Sequence, residues 1–312
     1  MTTRRTFLQA GLAAGAALTT SLQTSSAAVA PAESAEPFGY CLNTSTIRGQ
    51  EIGLVAEIEI AAKAGYQGIE PWIREIDQYV QSGGSLKDLG KRIRDAGLSV
   101  ESAIGFAEWI VDDDAKRAKG LEEAKRNMAM LVELGGKRLA APPVGGTKPP
   151  AVDLLKAAER YRTLLELGRQ MGIVPQVEVW GFSATLGRLG EAVMVAVESG
   201  HPDACLLPDI YHIYKGGSDF TGLKLLGGTA IHVFHVNDYP ADPPRIQITD
   251  AHRVYPGDGV APLKSVFRDL RAIGFRGMLS VELFNRDYWK QDALTVARTA
   301  LEKLRAAVAA SA

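Results

Sequence analysis

Four side chains of the types that hold divalent cations stand at corresponding places in the second half of the chain. They are Glu178 in Gln176-Val177-Glu178-Val179-Trp180, Asp209 in Leu207-Pro208-Asp209, His235 in Phe234-His235-Val236 and Glu282 in Val281-Glu282-Leu283-Phe284-Asn285. Each ends a short apolar run, so each is expected where a buried strand stops. Three carboxylates and one imidazole form an oxygen-rich set without thiolate, which suits Mn2+ ahead of Mg2+, Co2+ or Zn2+. Taken singly, each residue has a plainer explanation: a carboxylate after a strand is commonly solvated or salt-bridged, and a lone histidine is commonly a hydrogen-bonded core residue. Their recurrence on consecutive runs favours one shared metal ion.

Such convergence requires elements that bring four strand ends together. From Phe38 onward, short apolar runs alternate with helical patterns, which predicts a parallel sheet with crossover helices. The strands are expected near 39–43, 68–72, 99–104, 138–141, 174–179, 204–208, 231–236 and 279–284. Helical periodicity covers 51–64, 119–134, 152–171, 189–198, 262–273 and 292–308. Gly65, Gly97, Gly135, Gly172, Gly200 and Gly274 each precede a strand, where a left-handed helix cap is needed. Eight strand–helix units with no dividing linker indicate a single α/β domain over 37–312, a (β/α)8 barrel, whose chemistry belongs at the C-terminal strand ends. The competing doubly wound sheet would carry a Gly-rich loop after its first strand. The sequence there is Leu42-Asn43-Thr44-Ser45-Thr46 instead.

Alternation along the strands aims Glu178 and Glu282 into the barrel mouth and puts His232 on the face opposite His235. Trp72 and Trp180, after the second and fifth strands, could stack on a sugar or serve only as packing, and Glu70 could bind its hydroxyls or form a structural salt bridge. Cys41 and Cys205 fall on non-adjacent strands and are expected as free buried thiols. His201, in a Gly-His-Pro turn, is expected at the surface.

The 35 Lys and Arg against 36 Asp and Glu of the 312 residues give a net charge of −1, so no global field gathers nucleic acid or anionic lipid. Residues 1–30 differ in composition from the rest. Arg4-Arg5-Thr6-Phe7-Leu8, a modest apolar run and Ser26-Ala27-Ala28 resemble a twin-arginine export signal cleaved after Ala28. The run from Gly11 to Leu18 is far short of the ~20 residues of a stable membrane span. The expected location is periplasmic or extracytoplasmic.

With these residues in place, the chain resembles the xylose isomerase-like TIM barrels, the sugar phosphate isomerase/epimerase superfamily. The resemblance implies a metal held by Glu178, Asp209, His235 and Glu282, and substrate contacts from His212, three residues after Asp209, and from an arginine before the Pro256-Gly257-Asp258-Gly259 turn. That arginine is Arg253, with Arg245 as the alternative. Ketose 3-epimerases of the family carry a further substrate-binding Glu where this chain has Ala184, which sets it apart from free-ketose epimerisation. The implied reaction is proton transfer next to a carbonyl: the metal acts as Lewis acid toward an enediolate, and one of Glu178 and Glu282 is the catalytic base while the other is the acid. Export points to an unphosphorylated carbohydrate as the small-molecule partner. The same site would serve a lyase or dehydratase eliminating from a keto-sugar or 3-keto-glycoside, or a non-catalytic sugar-binding barrel. An abasic-site endonuclease of this fold would need more histidine ligands than the five histidines here provide. A homo-oligomer is compatible with all three readings.

Overall fold

The computed structural model describes residues 36–312. The export signal expected in residues 1–30 lies outside the described residues. Eight parallel strands form the centre: β1 (Gly39–Asn43), β2 (Gly68–Glu70), β3 (Ser99–Val100), β4 (Arg138–Ala141), β5 (Val174–Glu178), β6 (Leu206–Leu207), β7 (Val233–Val236) and β8 (Met278–Val281). They pair in the orders β3-β2-β1-β8-β7 and β4-β5-β6. The two arcs are joined by single parallel bridges, Ala103 with Leu139 on one side and Leu206 with Ile231 and Asp209 with His235 on the other. The result is a closed TIM barrel, which removes the exposed sheet edges of an open sheet.

Around it lie α1 (Leu54–Ala64), α2 (Ile73–Gln81), α3 (Leu86–Asp95), α4 (Asp114–Leu134), α5 (Leu154–Met171), α6 (Leu189–Glu198), α7 (Ile210–Lys215), α8 (Leu263–Ala272) and α9 (Ala293–Ala309). Strand alternation sorts the apolar side chains into two sets. Leu42, Ile69, Val177, Phe234 and Val281 pack outward with the helices. Trp72, Ile104, Ala140, Leu207 and Val233 form a smaller cluster inside the barrel. Full burial of one such side chain stabilises by about 1.5–3 kcal/mol. The helix-ending glycines take the expected conformation: Gly135 closes α4 at φ 77° and Gly172 closes α5 at φ 74°.

Three local expectations change. α4 starts at Asp114 instead of 119, because the Asp113 carboxylate accepts the Lys116 N–H and caps an additional turn. The sixth crossover carries only the six-residue α7, followed by 3-10 turns at Phe220–Leu225 and Gly228–Ala230. His201 is buried rather than at the surface. Its turn folds back so that Nδ1 accepts the Asp203 N–H at 3.1 Å and Nε2 faces Glu166 at 3.4 Å. Cys41 and Cys205 are free and buried.

Candidate metal and substrate site

The four candidate ligands all come to the C-terminal end of the barrel. Glu178 is the last residue of β5, Asp209 follows β6, His235 lies in β7 and Glu282 follows β8. All four are buried. One donor atom from each of Asp209, His235 and Glu282 falls within 4.8 Å of the others. Glu178 stands outside that compact trio but close enough to interact electrostatically with all three.

Each carboxylate in the trio is aimed by specific donors. Asp209 caps α7, its Oδ1 accepting the His212 N–H at 3.0 Å, and the Asn237 amide donates to both of its oxygens at 3.2 and 3.3 Å. Asn237 is itself fixed by the Tyr211 N–H, which donates to its Oδ1 at 2.9 Å. Glu282 accepts from Asn43 at Oε1 and from Arg253 at Oε2, at 3.2 and 2.8 Å. Arg253 Nη1 also donates to Asp209 Oδ2 at 2.9 Å, so one guanidinium group bridges both acids. Burial would raise the Asp209 carboxyl, but the charges of Arg253 and His212 hold it well below the usual carboxylate range.

Sequence reading treats Glu70 as a hydroxyl-binding group; the structure places it behind His235. It is fully buried, and its Oε2 lies 2.9 Å from His235 Nε2 while accepting from Asn43 at 3.0 Å and Ser280 at 2.8 Å. This contact puts the imidazole proton on Nε2 and leaves Nδ1 facing Asp209 Oδ2 at 3.6 Å and Glu282 Oε2 at 3.4 Å. Nδ1 has no hydrogen-bond partner. Burial opposes a charge on His235, yet Glu70 and Glu282 push its pKa well above the ordinary value. Surroundings that favour a proton this strongly also favour a cation, for which the proton is exchanged. The orphaned Nδ1 and two carboxylates at short range therefore fit a divalent ion, with the carboxylate–histidine support common at metal sites.

Glu178 differs from Glu282. Its Oε2 is buried without a partner. Burial, reinforced by Glu282 and Asp209 and opposed by His235, pushes its pKa up to about 8. Arg253 is the arginine the structure brings into the cluster. It is 1% exposed, is held by Asp250 at 2.6 Å and lies over the Tyr211 and Phe284 rings. Arg245 is exposed, with its guanidinium against Gly217. His212 Nε2 is 3.2 Å from Arg253 Nη2. Burial, joined by the Arg253 charge, keeps His212 below the ordinary histidine value.

The rim is aromatic. Trp72 packs against Phe106 and Phe284, and Phe106 leads on to Trp180 and Phe182 at 6.1 and then 5.2 Å between centroids. The Trp72 indole N–H donates to Asn43, so its ring is fixed. Asn43, Asn237, Asp250 and Ser280 are the positioning residues that sequence reading does not single out. Only Asn43 and Asn237 carry a signal there, as polar residues ending the first and seventh strands. His232 precedes β7 and is not one of the trio, and burial, with the charge of Arg138 adding to it, lowers its pKa to about 4. His252 is engaged locally, accepting the Thr249 N–H.

A family model described as xylose isomerase-like TIM barrel matches residues 58–307. Inosose isomerase of Bacillus velezensis is 28% identical over 274 residues, 86% of this chain and 96% of its own length. A 3-dehydroshikimate dehydratase of Pseudomonas aeruginosa is 26% identical over 241 residues, 74% of this chain and 36% of its own length. The crystal structure of the IOLI protein with a bound zinc atom superposes with a TM-score of 0.81 at 24% identity, covering 87% of this chain and 98% of that one. The chain belongs to the xylose isomerase-like TIM barrel family.

Proposed function

We propose that this protein is a metal-dependent sugar isomerase or epimerase that moves a proton at the carbon next to a carbonyl of an unphosphorylated sugar. The observation that carries the reading is the buried donor set itself: the unpartnered His235 Nδ1 between Asp209 and Glu282, with the unpartnered Glu178 Oε2 beside it. The inosose isomerase relative supports the isomerase class, and the zinc of the IOLI structure supports metal binding.

Asp209, His235 and Glu282, joined by Glu178, would hold a divalent cation, which when bound polarises a substrate carbonyl as a Lewis acid. The protein groups divide the remaining work. Glu282 has both oxygens engaged by Asn43 and Arg253 and is held in one orientation. Glu178 has an oxygen free to take a proton from carbon and return it, so it is the residue best placed as general base. Arg253 and His212 line the same space and can donate to substrate oxygens, while the Trp180 ring offers an apolar face to a sugar ring. Trp72, expected to stack on a sugar, is instead buried, with the Arg48 and Arg74 guanidinium groups over its ring.

The dehydratase relative supports a second reading at the same site, in which loss of the proton is followed by departure of a β-oxygen. Incubation of metal-loaded protein with unphosphorylated keto-sugars in heavy water, followed by NMR, separates the readings. Deuterium at a carbon next to the carbonyl is expected, and Glu178→Gln should slow its entry by about 10²–10⁴-fold. An unsaturated or shortened product would establish the lyase instead. Stoichiometric metal without exchange in any sugar would leave a binding barrel, and metal content unchanged by His235→Ala would overturn the metal site.

A further inference from the structure

A cavity of about 840 Å³ lies between the start of α1 and α2, beside the catalytic cluster and not part of it. Its walls include two acids, Glu57 and Glu75, that are 3% and 8% exposed. Glu75 uses one oxygen on the Thr44 hydroxyl and the Trp72 N–H, closing the start of α2, and its Oε1 has no partner. Glu57 Oε2 likewise has none. Facing them is Arg48, whose Nη1 is also buried and unpartnered, on a wall shared with Trp289 and Tyr79. Trp289 is rigidly placed: its indole N–H donates to the Ser45 carbonyl at 3.0 Å, and its ring lies where any Cβ on Gly49 would be.

These groups select a ligand by elimination. A free ammonium would meet Arg48 and Arg74, and an anion would meet Glu51, Glu57 and Glu75. The open valences are one carboxyl oxygen on each of Glu57 and Glu75 and one guanidinium donor, a combination that neutral hydroxyl groups satisfy because each both donates and accepts. The aromatic faces of Trp289 and Tyr79 suit the C–H face of a sugar ring, and the volume falls in the usual range for small-molecule sites.

The cavity also adjoins the reaction site. The Arg48 guanidinium lies 5.3 Å from the Phe284 ring centroid, and that of Arg253 lies 4.9 Å from the same ring. One aromatic side chain therefore separates the two. We propose that the α1–α2 cavity binds the second, unreacted ring of a glycoside whose keto-sugar ring occupies the Glu178–Asp209–His235–Glu282 site. The proposal rests on the sugar-directed function above and narrows the substrate from a free monosaccharide to a disaccharide or glycoside.

Calorimetric titration and saturation-transfer NMR with maltose and with glucose on the metal-loaded protein test it. Maltose is expected to bind about tenfold or more tighter than glucose, with its second ring saturated from Trp289 and Tyr79. Val55→Trp, which fills the cavity from the first turn of α1, should bring the maltose-to-glucose ratio close to one. Tyr79→Ala should lower it without requiring added bulk to be accommodated. Equal affinity for the two sugars, no binding of maltose, or a ratio indifferent to both variants would overturn the proposal. Deuterium exchange in a keto-monosaccharide reports separately on the catalytic reading. Exchange without maltose preference defeats only the glycoside cavity, and maltose preference without exchange defeats only the catalysis.

Discussion

At the scale of single residues, the site depends on contacts between side chains far apart in sequence. Glu70 and His235 are 165 positions apart, and their 2.9 Å contact fixes which imidazole nitrogen is free. Glu70→Gln should therefore keep the fold but weaken divalent-metal affinity by about 10–100-fold, measured by competition with a chromophoric chelator. Unchanged affinity would show that the trio orients itself without this support. The four metal-type residues were legible as candidates because alternation and strand ends are local properties, whereas His212 was reached only through the family resemblance. Glu70 was visible as a polar strand end, but its direction toward His235 was not, since that depends on a partner across the barrel. Arg253 was ambiguous with Arg245 for the same reason: both lie in one long loop, and no periodicity ranks them.

At the scale of elements, two short segments bear on the site. Lys215, the last residue of α7, donates to the carbonyl oxygens of Arg245, Ile246 and Ile248 and so ties down the loop that delivers Arg253. α7 ends at Gly216, where an added Cβ would overlap the Gly187 carbonyl oxygen. Gly216→Ala should cost about 1–3 kcal/mol in denaturant unfolding, since backbone must move to make room. The α1–α2 junction supplies a pH effect. Burial, with Glu75 adding to it, raises the Glu57 pKa to about 8, against 4.5 for a free carboxyl. Between those values the folded chain holds a proton that the unfolded chain releases. This contribution is complete below pH 4.5 and is lost as pH rises through 8. Glu57→Gln should remove that slope, so its Tm relative to the wild type should rise from pH 5 to pH 8.5. Parallel melting curves across that range would refute it.

At the scale of the whole molecule, the closed barrel turns four sequence-distant strand ends into neighbours and leaves both thiols buried and apart. Among the described residues, no helix is long and apolar enough to cross a membrane. We expect export by the twin-arginine route, with a mature chain beginning at Val29. Intact-mass measurement of the extracytoplasmic fraction tests it, and a chain there still beginning at Met1 would refute cleavage. The sequence by itself determined the eight strand–helix units and the residue types at their ends, because hydrophobic period, helix-ending glycines and side-chain alternation are set by short stretches of backbone. Only the tertiary structure decided which carboxylate supports His235, which arginine bridges Asp209 and Glu282, and that a cavity opens beside Trp289. Each of those depends on barrel closure, which brings together groups far apart in the sequence, as Asn43 and Glu282 are at 239 positions.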